Sequence, residues 1–289
     1  MKIALTGSSG IVGSFIYSQL QKDGHEILLI KSNIAKKEPG SFSYDEFCSH
    51  EDKSIDYVVH CGAQTFKNRP DTDGKSFLES NLIRTGELCE WSLRNNLKGF
   101  IFISSVHVAD YLSSFTNHKF KDKFSPELQK YFLSKWFAEL YLQNLLQGTN
   151  TRLSILRIGS PIKSDYCDSP LVRALIQACL EGEVIELTVS DEEALNLTWL
   201  EDLIATIRNL IENKAALTEE ILSFSASVST TIRVIEQFVG NSLSISHLDE
   251  ASTPRFSVRG ERFSGGVSTP PTDPKHFLSQ YISNLQVSK

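Results

Sequence analysis

The chain has 289 residues, 40% of them hydrophobic, and a formal net charge of -6, which describes a globular protein long enough for one large domain or up to two. An acidic balance gives no electrostatic reason to seek nucleic acid or an anionic membrane, so neither partner is expected. The cysteines, Cys48, Cys61, Cys89, Cys167 and Cys179, are odd in number and never spaced Cys-x-x-Cys, which argues against a disulfide framework or structural zinc and for a reducing, cytoplasmic setting.

The opening MKIALTGSSG carries a short apolar run that glycines interrupt too early for a signal peptide, and no later run approaches a membrane span. KIALTG (2–7) reads as a strand ending in a glycine turn, SFIYSQLQKDG (14–24) as a helix, and HEILLI (25–30) as a second, buried strand. The theme repeats with a strand at 54–63, a helix at 78–96, a strand at 99–105, a long helix at 125–146 and a strand at 151–159. Strands apolar on both faces, alternating with helices, imply an α/β fold with a doubly wound, Rossmann-type parallel sheet.

Beyond residue 160 the rhythm changes. A helix (171–181), a strand-like EVIELTV (183–189), a strand running into a helix (196–213) and one further strand, EILSFSA (220–226), precede a polar, serine-rich tail. That tail keeps apolar anchors at Phe263, Phe277, Leu278 and Tyr281. The expected organisation is a dinucleotide-binding domain over 1–160, to which 196–226 returns, and a smaller C-terminal substrate lobe from 161–195 and 227–289.

TGSSGIVG places Gly7, Gly10 and Gly13 between the first strand and the first helix. The first glycine permits the turn, the second lets backbone approach a pyrophosphate, and the third lets helix and strand pack, while the helix N-terminus attracts the anion. Gly7, Gly10, Ile11, Val12 and Gly13 are therefore predicted cofactor-binding residues. Where an NAD site carries an acidic residue for the ribose hydroxyls, this chain has Lys31-Ser32-Asn33. A cation at Lys31 suits a 2′-phosphate, which tilts the expected cofactor toward NADP while NAD stays open.

TGSSGIVG, DYVVHCGA, the helix with Asn81, FISSV, YFLSK and ILRIG together resemble, in order, the extended short-chain dehydrogenase/reductase family of the NAD-dependent epimerase/dehydratase type. The resemblance implies that Gly62 and Ala63 contact the cofactor, that Asn81 orders the backbone near the active site, and that Ile158 meets the nicotinamide end. It also implies a catalytic trio of Ser105, Tyr131 and Lys135. Tyr131 and Lys135 share a helix face, and an ammonium beside a phenol of pKa about 10, aided by the positive nicotinamide ring, is expected to pull it toward the working range of a general acid/base. Lys135 would also hold the nicotinamide ribose.

Some features depart from the family pattern. Val106-His107 follows Ser105 where sugar dehydratases carry Asp-Glu, so a 4,6-dehydratase is not expected, and His107 is a candidate extra proton carrier. Arg255, Arg259 and Arg262, with Arg173 behind them, are candidates for gripping a substrate diphosphate. No histidine shows metal spacing. The expected function is an NAD(P)-dependent epimerase or reductase of a nucleotide-activated sugar, with a reductase of another small carbonyl compound or a non-catalytic cofactor-binding sensor as alternatives. A homodimer through helices 78–96 and 125–146 is also expected, with Trp136, Phe137, Leu140 and Leu145 facing either the sheet or a partner.

Overall fold

The computed structural model describes residues 1–32, 40–65, 74–108, 124–213, 219–222, 224–247 and 273–287. In chain order the first half contains β1 (Lys2–Thr6), α1 (Ile11–Lys22), β2 (Glu26–Lys31), β3 (Ser41–Ser43), α2 (Tyr44–Ser49) and β4 (Tyr57–His60). Next come α3 (Lys75–Leu78), a π-helical turn (Glu79–Ile83), α4 (Arg84–Arg94), β5 (Gly99–Ser105), α5 (Pro126–Leu146) and β6 (Arg152–Ile158). The second half contains β7 (Ser160–Lys163), β8 (Tyr166–Cys167), α6 (Pro170–Glu181), β9 (Val184–Leu187), β10 (Ala194–Trp199), α7 (Leu200–Asn213) and β11 (Glu219–Leu222). It ends with β12 (Phe224–Ser227), α8 (Val228–Val239), β13 (Ser244–His247) and α9 (Pro274–Val287).

The chain divides into two compact units, the first built on Met1–Arg157 and Ile204–Glu220. Its sheet has seven strands in the order β11-β6-β5-β4-β1-β2-β3, and β3, β2, β1, β4 and β5 pair in parallel. All residues of β4 and β5 are buried, as a parallel sheet covered on both faces requires. The strand order reverses between β1 and β4, so a crevice opens beyond their carboxyl ends, where Rossmann-type sheets bind ligands. The long helix α5 starts at a capped Ser125, whose side chain accepts from the Leu128 amide, with Pro126 in its first turn. It lays Phe132, Ala138, Leu142 and Leu146 inward.

The second unit takes in Ile158–Leu203 and the described residues 221–222, 224–247 and 273–287. Its four-stranded sheet runs β12-β10-β7-β8, and β13 pairs in parallel with β9. Leu197, Val172, Ile176 and Ile235 form its core with Phe277, Leu278 and Tyr281, and Trp199 stacks on Phe277 with ring centroids 5.6 Å apart. Three of the four apolar anchors of the tail are thus core residues of α9, and Phe263 lies outside the described residues.

Three expectations change. The stretch that rejoins the first unit is Ile204–Glu220 and not 196–226, because β10 pairs with β7 and β12 in the second unit. EILSFSA is two strands, β11 and β12, in different sheets. The helix expected over 78–96 is interrupted by a π turn in which the Arg84 amide bonds the Glu79 carbonyl, five residues back. All five cysteines are free, and among the described residues no helix is long and apolar enough to cross a membrane.

Candidate active site

The glycine turn closes tightly. Gly7 has φ of +72°, a conformation that only glycine adopts freely, and the Gly10 amide donates to its carbonyl at 3.0 Å. A β-carbon on Gly7 would lie 2.7 Å from the Gly62 nitrogen, and one on Gly13 would overlap the Gly7 carbonyl. The backbones after β1 and β4 therefore approach closely where Ile11 and Val12 open α1, whose N-terminus has no side-chain cap. The residues present at this turn fit a pyrophosphate.

Lys31 ends β2 and pairs in register with Ser43 of β3. Ser43 caps α2 in a reciprocal capping box with Glu46. Gly62 and Ala63 follow β4 in a half-buried loop. Ile158 ends β6 as a buried residue.

Ser105, Tyr131 and Lys135 come together beside this loop. Ser105, the last residue of β5, hydrogen-bonds the Tyr131 phenol and accepts from the His107 amide at 3.3 Å. Burial pushes the phenol up to about 12, with the Ser105 bond acting in the opposite direction. Lys135 is 3% exposed. Its ammonium donates to the Ile103 carbonyl at 2.9 Å and sits 4.5 Å from the Phe102 ring centroid, a cation–π contact. Burial pulls Lys135 down to about 8, while Glu139 works to raise it. In this structure burial is the larger cause at Tyr131 and raises the phenol, while the Lys135 ammonium is bonded to the β5 backbone.

Asn81 sits in the π turn, 1% exposed. Its Oδ1 accepts from the Gln64 amide at 2.7 Å, and its Nδ2 donates to the Gln64 carbonyl at 3.0 Å and to Ser134 Oγ at 2.9 Å. Ser134 in turn donates to the Tyr131 carbonyl at 2.7 Å. One side chain therefore ties the loop after β4 to the helix that carries Tyr131. The extra residue of the π turn widens the helix at that point, a device common at functional sites.

Glu139, one turn beyond Lys135, is an anchor that pattern reading missed. It receives the Ser104 hydroxyl and the Arg157 guanidinium, whose terminal nitrogen lies at 2.5 Å and whose Nε lies at 3.1 Å and 3.2 Å from the two carboxylate oxygens. The Tyr-x-x-x-Lys register extended by four residues was the signal that would have found it. Thr6, Gln64, Thr85 and Ser134 carried no signal beyond being polar residues in or beside buried elements. His107 lies with its ring 5.8 Å from the Phe132 ring, and Arg173 is exposed on α6. Arg255, Arg259 and Arg262 lie outside the described residues.

Residues 3–223 match the model of the NAD dependent epimerase/dehydratase family. The chain is 26% identical over 248 residues to UDP-glucose 4-epimerase of Vibrio cholerae, spanning 81% of this chain and 74% of that protein. Against Protein CapI of Staphylococcus aureus the identity is 22% over 243 residues, spanning 76% and 72%. MoeE5 in complex with UDP-glucuronic acid and NAD shares the fold with a TM-score of 0.73 at 17% identity, covering 100% of both chains. UDP-glucuronic acid 4-epimerase from Bacillus cereus, in complex with UDP-glucuronic acid and NAD, does so with a TM-score of 0.68 at 18% identity, covering 99% of this chain and 100% of that one. The match over most of its length shows that this chain belongs to the NAD dependent epimerase/dehydratase family and is an enzyme of that family.

Proposed function

We propose that the chain is an epimerase of a UDP-activated sugar that works through Ser105, Tyr131 and Lys135. The observation that carries this reading is the Ser105–Tyr131 hydrogen bond at the end of β5, one helical turn from a buried lysine and tied through Asn81 to the glycine-turn side of the sheet. UDP-sugars enter as the substrate class because three of the four relatives named above are UDP-sugar 4-epimerases or are seen with a UDP-sugar bound.

The residues that hold the dinucleotide are Gly7, Gly10, Ile11, Val12 and Gly13 at the pyrophosphate, with Gly62 and Ala63 along the loop after β4, and Lys135 and Ile158 toward the nicotinamide. When bound, the nicotinamide supplies a hydride acceptor and donor. Ser105 donates a hydrogen bond to the reacting sugar oxygen, and Tyr131 takes or returns the proton on that oxygen. Lys135 stabilises the phenolate once its ammonium leaves the Ile103 carbonyl. NAD is the cofactor named with the structural relatives. Lys31 at the strand end favours a 2′-phosphate and with it a reductase using NADPH. Five free thiols fit a reducing, cytoplasmic setting.

We also assign a homodimer to helices α3 to α5. Leu78, Ile83, Phe137, Leu140 and Tyr141 are large apolar residues left exposed there, where Trp136 is half-buried and Leu145 packs inward. A second copy covering them would remove that area from water.

The test combines NADH and NADPH titrations with turnover of UDP-glucose, UDP-galactose and UDP-glucuronate, read by product separation. Interconversion without net consumption of cofactor, lost in Tyr131→Phe with dinucleotide binding intact, is the expected result. Stoichiometric NADPH oxidation assigns a reductase instead. Binding of dinucleotide with no response to any UDP-sugar refutes the carbohydrate reading.

A further inference from the structure

His60, the last residue of β4, is fully buried and joins two parts of the site. Its Nδ1 lies 2.6 Å from Thr6 Oγ1 and its Nε2 lies 2.8 Å from Thr85 Oγ1. Counting donors fixes the direction of every bond. Thr85 gives its one hydroxyl proton to the Asn81 carbonyl at 2.8 Å, because a carbonyl only accepts. Thr85 must then accept from His60, so Nε2 carries the hydrogen. Neutral imidazole leaves Nδ1 as an acceptor, and the Thr6 hydroxyl donates to it. The Thr6 oxygen has two lone pairs left, one for the Gly62 amide at 2.8 Å and one for the Tyr44 phenol, its other hydrogen-bond partner.

The bonds therefore all run one way, from Gly62 N–H to Thr6, to His60, to Thr85, to the carbonyl of Asn81. An imidazolium would donate from Nδ1, turn the Thr6 hydroxyl away and so reverse that bond of the run. The neutral form is also what the surroundings dictate, since burial and the nearby Lys135 ammonium pull His60 down to about 3. His60 stacks on Phe102, ring centroids 5.6 Å apart, with Lys135 over that same ring.

We propose that His60 is a positioning residue of the active site: as the neutral Nε2–H tautomer it couples the cofactor-binding wall at Thr6 and Gly62 to Asn81. The π turn gives this coupling its place. The five-residue spacing displaces the helix amides around residue 81 from their usual acceptors, and the Thr85 hydroxyl, oriented by His60, supplies a bond to the Asn81 carbonyl. The Asn81 side chain then holds Gln64 and Ser134, and through Ser134 the backbone of Tyr131. The inference rests on the catalytic reading of Tyr131 given above.

Two substitutions separate the two sides of the ring. Asparagine at 60 can still accept from Thr6 but falls short of Thr85, whereas glutamine reaches the Nε2 place and can donate to Thr85. His60→Asn is expected to lower kcat about 30-fold on the UDP-sugar that the wild type turns over, with KM within about threefold. His60→Gln should recover most of that loss. Thr85→Val, which removes the hydroxyl at constant shape, should reproduce His60→Asn, and the double substitution should add little. Hydrogen exchange of the Gln64 amide, held by Asn81 Oδ1, should accelerate about tenfold in His60→Asn and Thr85→Val and stay near wild type in His60→Gln. If glutamine does no better than asparagine, and Thr85→Val leaves kcat and Gln64 exchange unchanged, His60 only fills space and the proposal is overturned. If the wild type turns over no UDP-sugar, the proposed function fails by itself, and Gln64 exchange still decides whether His60 holds Asn81.

Discussion

Replacing Lys135 by methionine should make the protein more stable at neutral pH while destroying its activity. Burial lowers Lys135 from 10.5 to about 8, which corresponds to about 3 kcal/mol of disfavour for the charged form in the fold. Methionine fills nearly the same volume over Phe102, but it leaves the Ile103 carbonyl without its donor, a loss of about 1 kcal/mol. The expected net gain at pH 7 is about 2 kcal/mol, a large part of an ordinary domain's stability. Between pH 8 and 10.5 the unfolded chain still binds the lysine proton that the folded chain has released, so wild-type stability rises with pH and the advantage of methionine shrinks. Urea unfolding of both proteins at pH 7 and pH 9.5 measures this directly. A methionine variant less stable than wild type at pH 7, or a difference that ignores pH, would refute the claim that Lys135 is held at the expense of stability.

Other outcomes follow from the same geometry. Glu139→Gln strips the buried counter-charge from Arg157 and should cost about 3 kcal/mol in urea unfolding; a loss below about 1 kcal/mol would show that the pair is solvated. It should also lower Lys135 further, because Glu139 raises it, seen as a downward shift of its titration by NMR. Gly13→Ala forces a β-carbon onto the Gly7 carbonyl, so dinucleotide affinity should fall about tenfold or more in a fluorescence titration. Phe137→Glu with Leu140→Glu should leave turnover per site intact and convert the assigned dimer to a monomer in sedimentation, and a wild-type monomer would remove the assignment.

The first unit was legible because its central strands β4 and β5 are buried on both faces and so appear as unbroken apolar runs, as GFIFISS does. The glycine turn was legible because close backbone approach admits no other residue at Gly7 and Gly13. The second unit was harder, because β7, β8 and β12 have two to four residues, too few to show a period. The π turn left no compositional mark, since it adds one residue to a helix that reads as continuous. For the candidate site, Ser105, Tyr131 and Lys135 were named through family resemblance, whereas the contacts of Glu139, Thr85 and His60 depend on which buried polar atoms meet in space. Such partners are separated by 18 to 54 residues, and no local pattern links them.

The tyrosine–lysine pair shows where spacing stops being informative. Residues four apart share a helix face, but the lysine stem is long enough to carry its ammonium to any of several acceptors on that face. In the free chain it goes to the Ile103 carbonyl and the Phe102 ring, and Tyr131 responds to burial and to Ser105. With the phenol near 12, Tyr131 holds its proton at neutral pH and is ready to act as an acid. Acting as a base requires something further, a positive charge brought to the phenol or a lysine released from β5. Glu139 raises Lys135 against the effect of burial, and a neutral His60 adds no second cation beside it. At about 8, Lys135 thus keeps its proton at neutral pH in an apolar setting, with burial working against the charge and Glu139 working for it.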